Sequence, residues 1–303
     1  MYLEHFRLRE APFGITPDTE FFFSSAASQQ ALNTLLVATR TGEGFIKITG
    51  EVGTGKTLLC RQLLLNVGEK FQTAYIPNPL LEPTTLLLEL ANELGASVRY
   101  LNVSPRAEHE HMLLKALKER LLELAQEGRR ALVCLDEAQA LPIKTLEALR
   151  LLSNLETEKR KLLQVVIFGQ PELDVKLSHP SIRQLKQRIT FEYHLSSLTG
   201  PEMAAYLDHR MAVAGYRGPP PFSRPALWLL RWRTGGTPRL VNIVAHKALM
   251  SAYGRGAYQV NLHDALGAIA DTATLRLPLL RIAWGGLLVG GLGSIGMGMA
   301  RFV

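Results

Sequence analysis

Between residues 27 and 195 the chain alternates short, almost wholly apolar runs with longer stretches whose apolar positions return every three or four residues. The short runs 44–49, 72–76, 131–136, 163–168 and 189–194 are predicted strands. The longer stretches 27–41, 56–67, 83–95, 107–127 and 144–157 are predicted helices. Within 107–127 the helical period is plain, with Leu113, Leu114, Leu117, Leu121 and Leu124 on one side. Apolar strands separated by amphipathic helices imply a parallel sheet covered on both faces. After Leu198 the pattern turns to helices alone, at 200–214, 223–234, 238–252 and 261–274. A Gly218-Pro219-Pro220-Pro221 break separates the first two. The fold class is α/β, with a core over 27–198, a small all-α domain over 199–275 and an N-terminal segment over 1–26.

The last stretch follows another pattern. Residues 282–300 carry no charge and hold Leu, Ile, Val, Met, Trp284 and seven glycines. A helix of that length just crosses a hydrocarbon core of about 30 Å. Arg276 and Arg281 precede it and Arg301 follows, which favours keeping the preceding domain in the cytosol. Residues 279–301 are therefore a predicted transmembrane tail. The competing readings are a flexible glycine-rich tail and an apolar helix that docks on a partner. Gly286, Gly290, Ser294 and Gly298 recur every fourth residue, a spacing that lets two membrane helices approach closely.

The first strand runs into Gly50-Glu51-Val52-Gly53-Thr54-Gly55-Lys56-Thr57, which meets the GxxxxGK[ST] pattern between a strand and a helix. Glycines there let several N–H groups turn toward one anion, and the following helix dipole adds to the field. Lys56 is expected on the β- and γ-phosphates of ATP, and the Thr57 hydroxyl on Mg²⁺. The third strand ends in Asp136-Glu137. Asp136 is expected to hold the Mg²⁺ shell, and Glu137 to polarise the attacking water.

Three further residues extend the constellation. Gln170, after the fourth strand, is a candidate to position the attacking water. Arg188, just before the fifth strand, is a candidate to complete a neighbouring subunit's site. Gly235-Gly236-Thr237-Pro238-Arg239 opens a helix, with Pro238 suited to its first position and Arg239 in the first turn. A cation there opposes the helix dipole and so calls for an anion such as a γ-phosphate.

Composition narrows the class. The chain has 303 residues, 47% of them apolar and 20% charged, as in a globular protein. Two cysteines make no disulfide framework, and the N-terminus lacks the order of a signal peptide. The +7 charge fits a nucleic-acid partner, an anionic membrane or a merely solvated surface. His109 and His111 have no accompanying ligand cluster, so no metal is expected beyond nucleotide-bound Mg²⁺.

These elements in this order resemble an AAA+ ATPase. The opening run of residues 1–13, then Thr16-Pro17-Asp18, is similar to the N-terminal signature of the ExeA (general secretion pathway A) family, especially its MshM branch from MSHA pilus biogenesis. Asp136-Glu137-Ala138-Gln139-Ala140-Leu141, Phe168-Gly169-Gln170-Pro171-Glu172-Leu173 and residues 185–189 are similar as well. The resemblance implies a five-stranded P-loop NTPase core, a helical lid, ATP hydrolysis and a homo-oligomeric ring. It implies Gln170 as first sensor, Arg188 as arginine finger and Arg239 as second sensor. It also implies work with pilus or type II secretion components at a bacterial inner membrane. Relatives of that family continue past a membrane segment into a periplasmic peptidoglycan-binding domain. With the sequence ending at Val303, a single-pass protein with a cytoplasmic ATPase domain is the expectation. The alternative is a DNA-binding AAA+ regulator, as in transposition target selection, and the apolar tail weighs against it. A nucleotide-dependent scaffold with negligible turnover is a third reading.

Overall fold

Five parallel strands form one sheet in the order β2-β3-β4-β1-β5. They are β1 Phe45–Thr49, β2 Phe71–Ile76, β3 Arg130–Leu135, β4 Leu163–Gly169 and β5 Ile189–His194. The computed structural model describes residues 2–77, 80–97, 109–152, 155 and 161–275. All five predicted strands are present, with ends within one residue of expectation. Strands β1, β3 and β4 lie inside the sheet and are buried along nearly their whole length. Their two-sided apolar sequences follow from that position. Edge strand β5 exposes every second residue. Register then sets the geometry that matters: Thr49 pairs with Gly169, and Leu135 with Ile167. The carboxyl ends of β1, β3 and β4 therefore open onto one edge of the sheet.

Helices α2 (Ala26–Thr41) and α3 (Lys56–Asn66) cover one face, packing Leu35, Leu59 and Leu63 with Ile46, Val166 and Phe168. The other face is covered by α4 (Pro83–Leu94), α5 (His109–Gln126), α6 (Ile143–Leu152), α7 (Glu172–Leu177) and α8 (Arg183–Lys186). Leu90, Leu117 and Leu149 pack there with Phe45, Val133 and Val165. The pleat sends Phe45 to one face and Ile46 to the other. Helices α7 and α8 were not expected, because six and four residues are too short to display a helical period. Residues 107, 108, 153, 154, 156 and 157 of the predicted helices lie outside the described residues.

Beyond the sheet stand α9 (Gly200–Val213), α10 (Arg224–Thr234), α11 (Pro238–Gly254) and α12 (Leu262–Ala270). Their starts are fixed by local chemistry: a Thr199–Glu202 capping box, a Ser223 cap, Pro238 in the first turn, and an Asn261–Asp264 box. The predicted 261–274 helix is shorter than expected, ending at Ala270 before a short turn at Ala273–Leu275. The N-terminal segment begins with α1 (Tyr2–His5) and shares this helical core, through Phe6, Leu8, Phe13 and Phe21 beside Leu207, Met211 and Leu230. The predicted tail, 279–301, lies outside the described residues. Among the described residues no helix is long and apolar enough to cross a membrane, and no cluster of His, Cys, Asp and Glu forms a metal site.

Candidate nucleotide site

The loop leaving β1 is shaped by its glycines. Gly53 and Gly55 have φ of 81° and 102°, backbone that side chains with a Cβ rarely adopt. A Cβ at Gly50 would stand 2.8 Å from the Leu195 carbonyl oxygen. Lys56, the first residue of α3, is buried, and its ammonium donates to the Gly50 and Glu51 carbonyls at 2.7 and 2.9 Å. Burial pulls the Lys56 pKa below its ordinary value, against the opposing pull of Glu137 and Asp136. A buried cation bonded only to loop carbonyls fits a phosphate, which offers it charged acceptors at the helix N-terminus.

The acids arrive from β3. Thr57 Oγ1 donates to Asp136 Oδ2 at 2.6 Å, and the Glu137 N–H donates to Asp136 Oδ1 at 2.9 Å. Burial pushes the Asp136 carboxyl above its usual range, although the bonds from Thr57 and the Glu137 N–H oppose that shift. Tyr75, on neighbouring β2, places its hydroxyl 3.5 Å from Asp136 Oδ2. Its own pKa is pushed up to about 12, by burial first and then by the Asp136 charge. Glu137 has a φ of 52°, a left-handed conformation whose strain costs about 1–3 kcal/mol in a non-glycine residue. Such strain concentrates at working sites. The hydroxyl and carboxylate of Thr57 and Asp136 are hard oxygens of the kind Mg²⁺ prefers, so the pair fits that ion.

Gln170 follows β4, between β3 and β1 in the sheet, and its amide donates to Glu137 Oε2 at 3.1 Å. Gln139 donates to the same oxygen at 2.5 Å and accepts from the Gln170 N–H at 3.0 Å. Glu137, Gln139 and Gln170 thus form one bonded set. Arg239 lies in the first turn of α11, as its spacing from Pro238 predicts, and its N–H donates to the Gly53 carbonyl at 3.2 Å. A Cβ at Gly53 would stand 2.5 Å from Arg239 Cβ, so α11 and the phosphate loop touch through backbone. Arg188 sits elsewhere. It precedes Ile189, which pairs with Phe45 at the opposite end of β1 from the loop. Five strand residues span about 16 Å, so Arg188 is remote from its own chain's phosphate site.

A cavity of about 300 Å³ adjoins the loop, lined by Gly53, Lys56, Thr57, Glu137 and Arg239 on one side. The other side was not foreseen as part of a site: Gly14, Ile15, Thr16, Pro17 and Asp18, with Tyr206, Arg210 and Asn242 behind them. This strap is fastened at both ends. Arg61 of α3 donates to the Pro17 carbonyl at 2.6 Å, while Arg210 and Asn242 donate to the Gly14 carbonyl at 3.4 and 3.1 Å. Arg210 also donates to the Pro12 carbonyl and lies 4.6 Å from the Phe21 ring centre. The one signal in the sequence was the Ala11-Pro12-Phe13 and Thr16-Pro17-Asp18 spelling, which carried a resemblance but no role.

Residues 39–177 match the family model described as an AAA domain. Over 295 residues the chain is 39% identical to the general secretion pathway protein A of Aeromonas hydrophila, covering 95% of this chain and 53% of that protein. Over nearly its whole length the chain is thus similar to the ExeA (general secretion pathway A) family of AAA+ ATPases. The phosphate loop, Glu137 and the strap are the parts of this chain that adjoin the cavity. The chain spans about half the length of the Aeromonas relative.

Solved structures agree on the fold. The Cdc6p of Pyrobaculum aerophilum superposes with a TM-score of 0.62 at 20% identity, covering 84% of this chain and 71% of that one. The ORC2 protein of Aeropyrum pernix gives 0.61 at 18%, covering 85% and 69%. The RuvB branch-migration motor of Thermotoga maritima gives 0.54 at 15%, covering 82% and 69%. At such identities the likeness is one of fold alone.

Proposed function

We propose that this chain is a Mg²⁺-dependent ATPase acting as an oligomeric assembly factor for a type IV, MSHA-like pilus or a type II secretion-related apparatus at the bacterial inner membrane. The observation that carries the ATPase is the convergence of Lys56, Thr57 and Glu137 on one cavity, with Asp136 bonded to Thr57 and Gln170 to Glu137 behind them. Lys56 exchanges its loop carbonyls for phosphate oxygens. Thr57 and Asp136 would hold Mg²⁺, which would supply positive charge to the phosphates. Glu137 takes a proton from water as the water oxygen bonds to the γ-phosphorus and the bond to the β-phosphate oxygen breaks. Gln170 fixes the Glu137 carboxylate, and Arg239, on the first turn of α11, answers the γ-phosphate charge. Helices α9–α12 act as a lid, and the strap lies where a base would extend from the phosphates. Phosphate release from ATP that requires Mg²⁺ and disappears in Lys56→Ala tests this reading; equal release by the variant sinks it.

Arg188 is assigned to a neighbouring subunit's site, because about 16 Å of strand separates it from its own loop. Residues 279–301 are assigned as a single-pass anchor with the ATPase domain in the cytoplasm, supported by the uncharged run 282–300 and the arginines before it. Deleting residues 279–303 is expected to release the protein to the soluble fraction with ATP binding intact. The secretion assignment follows the Aeromonas relative, and co-purification from native membranes tests it through the components recovered.

The DNA-binding alternative has one observation of its own. A cleft of about 620 Å³ at the amino ends of the strands is lined by Arg40, Lys70, Arg129, Arg130 and Lys161. Two of these are already engaged, Arg130 on the Arg40 carbonyl and Arg129 on Gln72. ATPase rates with and without duplex DNA across a salt series separate the readings. Strong, salt-sensitive stimulation favours the regulator.

A further inference from the structure

Helix α10 buries Ala226, Leu229, Leu230 and Thr234 and turns its two largest aromatic side chains the other way. Trp228 and Trp232 are 67% and 65% exposed, and their rings stack with centroids 6.0 Å apart. Two large indoles on an open helix face lose more by hydration than any isolated exposed leucine, so their exposure asks for an occupant. Arg224, also exposed, stands four residues before Trp228, so Arg224, Trp228 and Trp232 follow one line along the helix. The helix carries no acidic residue. Its packing neighbour α12 leaves Leu262 and Leu266 exposed as well.

The position of this face narrows the choice of occupant. Arg233 lies 5.5 Å from the Trp232 ring centre and donates to the Leu275 carbonyl. Trp232 therefore stands near Leu275, the last described residue of the helical unit. The uncharged run starts at Ile282, seven residues on, and Arg276 and Arg281 fall between. Seven extended residues reach at most about 25 Å. A chain anchored in a bilayer from that point holds Trp232 close to the lipid surface. Tryptophan is the side chain most at home in the headgroup layer, and arginines beside it find anionic lipid phosphates.

We propose that the Trp228–Trp232 face of α10 is a seat on the anionic bilayer surface, set beside the membrane anchor so that the helical unit is held against the inner membrane. The inference rests on the tail being in the membrane. The occupant is an anionic phospholipid interface, with Trp228 and Trp232 inserted at headgroup depth and Arg224 and Arg233 facing lipid phosphate. Motion of α10 relative to the core, where α11 touches the phosphate loop, would then be felt at the membrane.

The test uses the full chain carrying Trp284→Phe, which leaves Trp228 and Trp232 as the only tryptophans of three. The protein is reconstituted into phosphatidylcholine vesicles with or without phosphatidylglycerol, using lipids brominated near the top of the acyl chain. Tail insertion is scored separately, by resistance to alkaline extraction. The expected result is loss of most tryptophan emission in phosphatidylglycerol vesicles, less in phosphatidylcholine alone, with extraction resistance in both. Trp228→Gln/Trp232→Gln in the full chain should keep extraction resistance and ATP binding while losing protection of the 275–282 junction from protease. Extraction resistance with unquenched tryptophan overturns the seat and leaves the anchor standing. Unquenched emission that shifts with protein concentration overturns it in favour of a second copy of the chain. Extractable protein, quenched or not, removes the anchor and with it a seat set beside one.

Discussion

The Thr57 hydroxyl and the Asp136 carboxylate are joined by a 2.6 Å hydrogen bond, which ties the start of α3 to the end of β3 across the nucleotide site. Asp136 is buried, and burial raises its pKa. A carboxyl whose folded pKa is raised favours the fold only below its ordinary pKa, and that contribution fades as pH rises through the folded value. At neutral pH the ionised Asp136 therefore weighs against the nucleotide-free protein. Asp136→Asn is expected to raise the melting temperature of the nucleotide-free form near pH 7, with the gain shrinking as pH falls through the carboxylate range. The same change should remove most of the Mg²⁺-dependent gain in ATP affinity. Melting curves at several pH values, with and without Mg-ATP, check both; a variant that melts lower at pH 7 refutes the first half.

Glu137 holds two amide donors on one oxygen, Gln139 at 2.5 Å and Gln170 at 3.1 Å. A glutamine at 137 keeps the shape but gives up the base, so Glu137→Gln should bind ATP and lose about 10²–10⁴-fold in kcat. Arg188→Ala should lose turnover with little change in ATP affinity, since the arginine acts on a neighbour. Mixed oligomers of the two variants should regain activity wherever an intact Glu137 meets an intact Arg188. No recovery at any ratio, once subunit exchange is demonstrated, removes Arg188 from the site.

Most of the sheet was legible because a buried parallel strand is apolar on both faces and a following helix is not. The phosphate loop and the acid pair were legible because their chemistry demands fixed residues at fixed offsets. What stayed hidden has no periodic signature. Helices α7 and α8 are too short to show a period. The strap over residues 14–18 is irregular chain, held by Arg61, Arg210 and Asn242 from elements far away in sequence. Gln139 was visible only as part of a family spelling, since nothing local says that its amide folds back onto Glu137. Long-range hydrogen bonds to backbone leave no mark in a single sequence.

Gly236 links the core to the helical unit in a conformation that tolerates no side chain. Its φ is 73°, its carbonyl accepts from the Leu198 N–H at 3.0 Å, and a Cβ there would collide with the Leu198 carbonyl oxygen. Gly236→Ala must move backbone on one side or the other. It should destabilise the protein by about 1–3 kcal/mol and shift Arg239 away from the phosphate loop. Chemical denaturation reads the first effect and ATP affinity the second. A variant unchanged in both would mean that this junction is free to slide.

Arg210 offers the sharpest test of the strap. The side chain is buried, donates to the Pro12 and Gly14 carbonyls and to the Tyr206 hydroxyl, and lies against Phe21. Methionine matches its apolar stem but offers no donors, leaving the Pro12 carbonyl without Arg210 at about 1–3 kcal/mol and the Gly14 carbonyl to Asn242 alone. Residues 12–18 should then part from α9 while the Arg61 bond to Pro17 still holds them to the core. Because the strap walls the cavity away from Glu137 and Gln170, the loss should fall on binding rather than on chemistry. Arg210→Met is therefore expected to weaken ATP binding by about tenfold for each 1.4 kcal/mol lost, with kcat at saturating ATP little changed. Titration with a fluorescent ATP analogue gives the affinity, steady-state phosphate release gives kcat, and protease cleavage within residues 12–18 reports the strap itself. A variant whose kcat falls while its affinity holds would place the strap in the chemical step and overturn this division of labour.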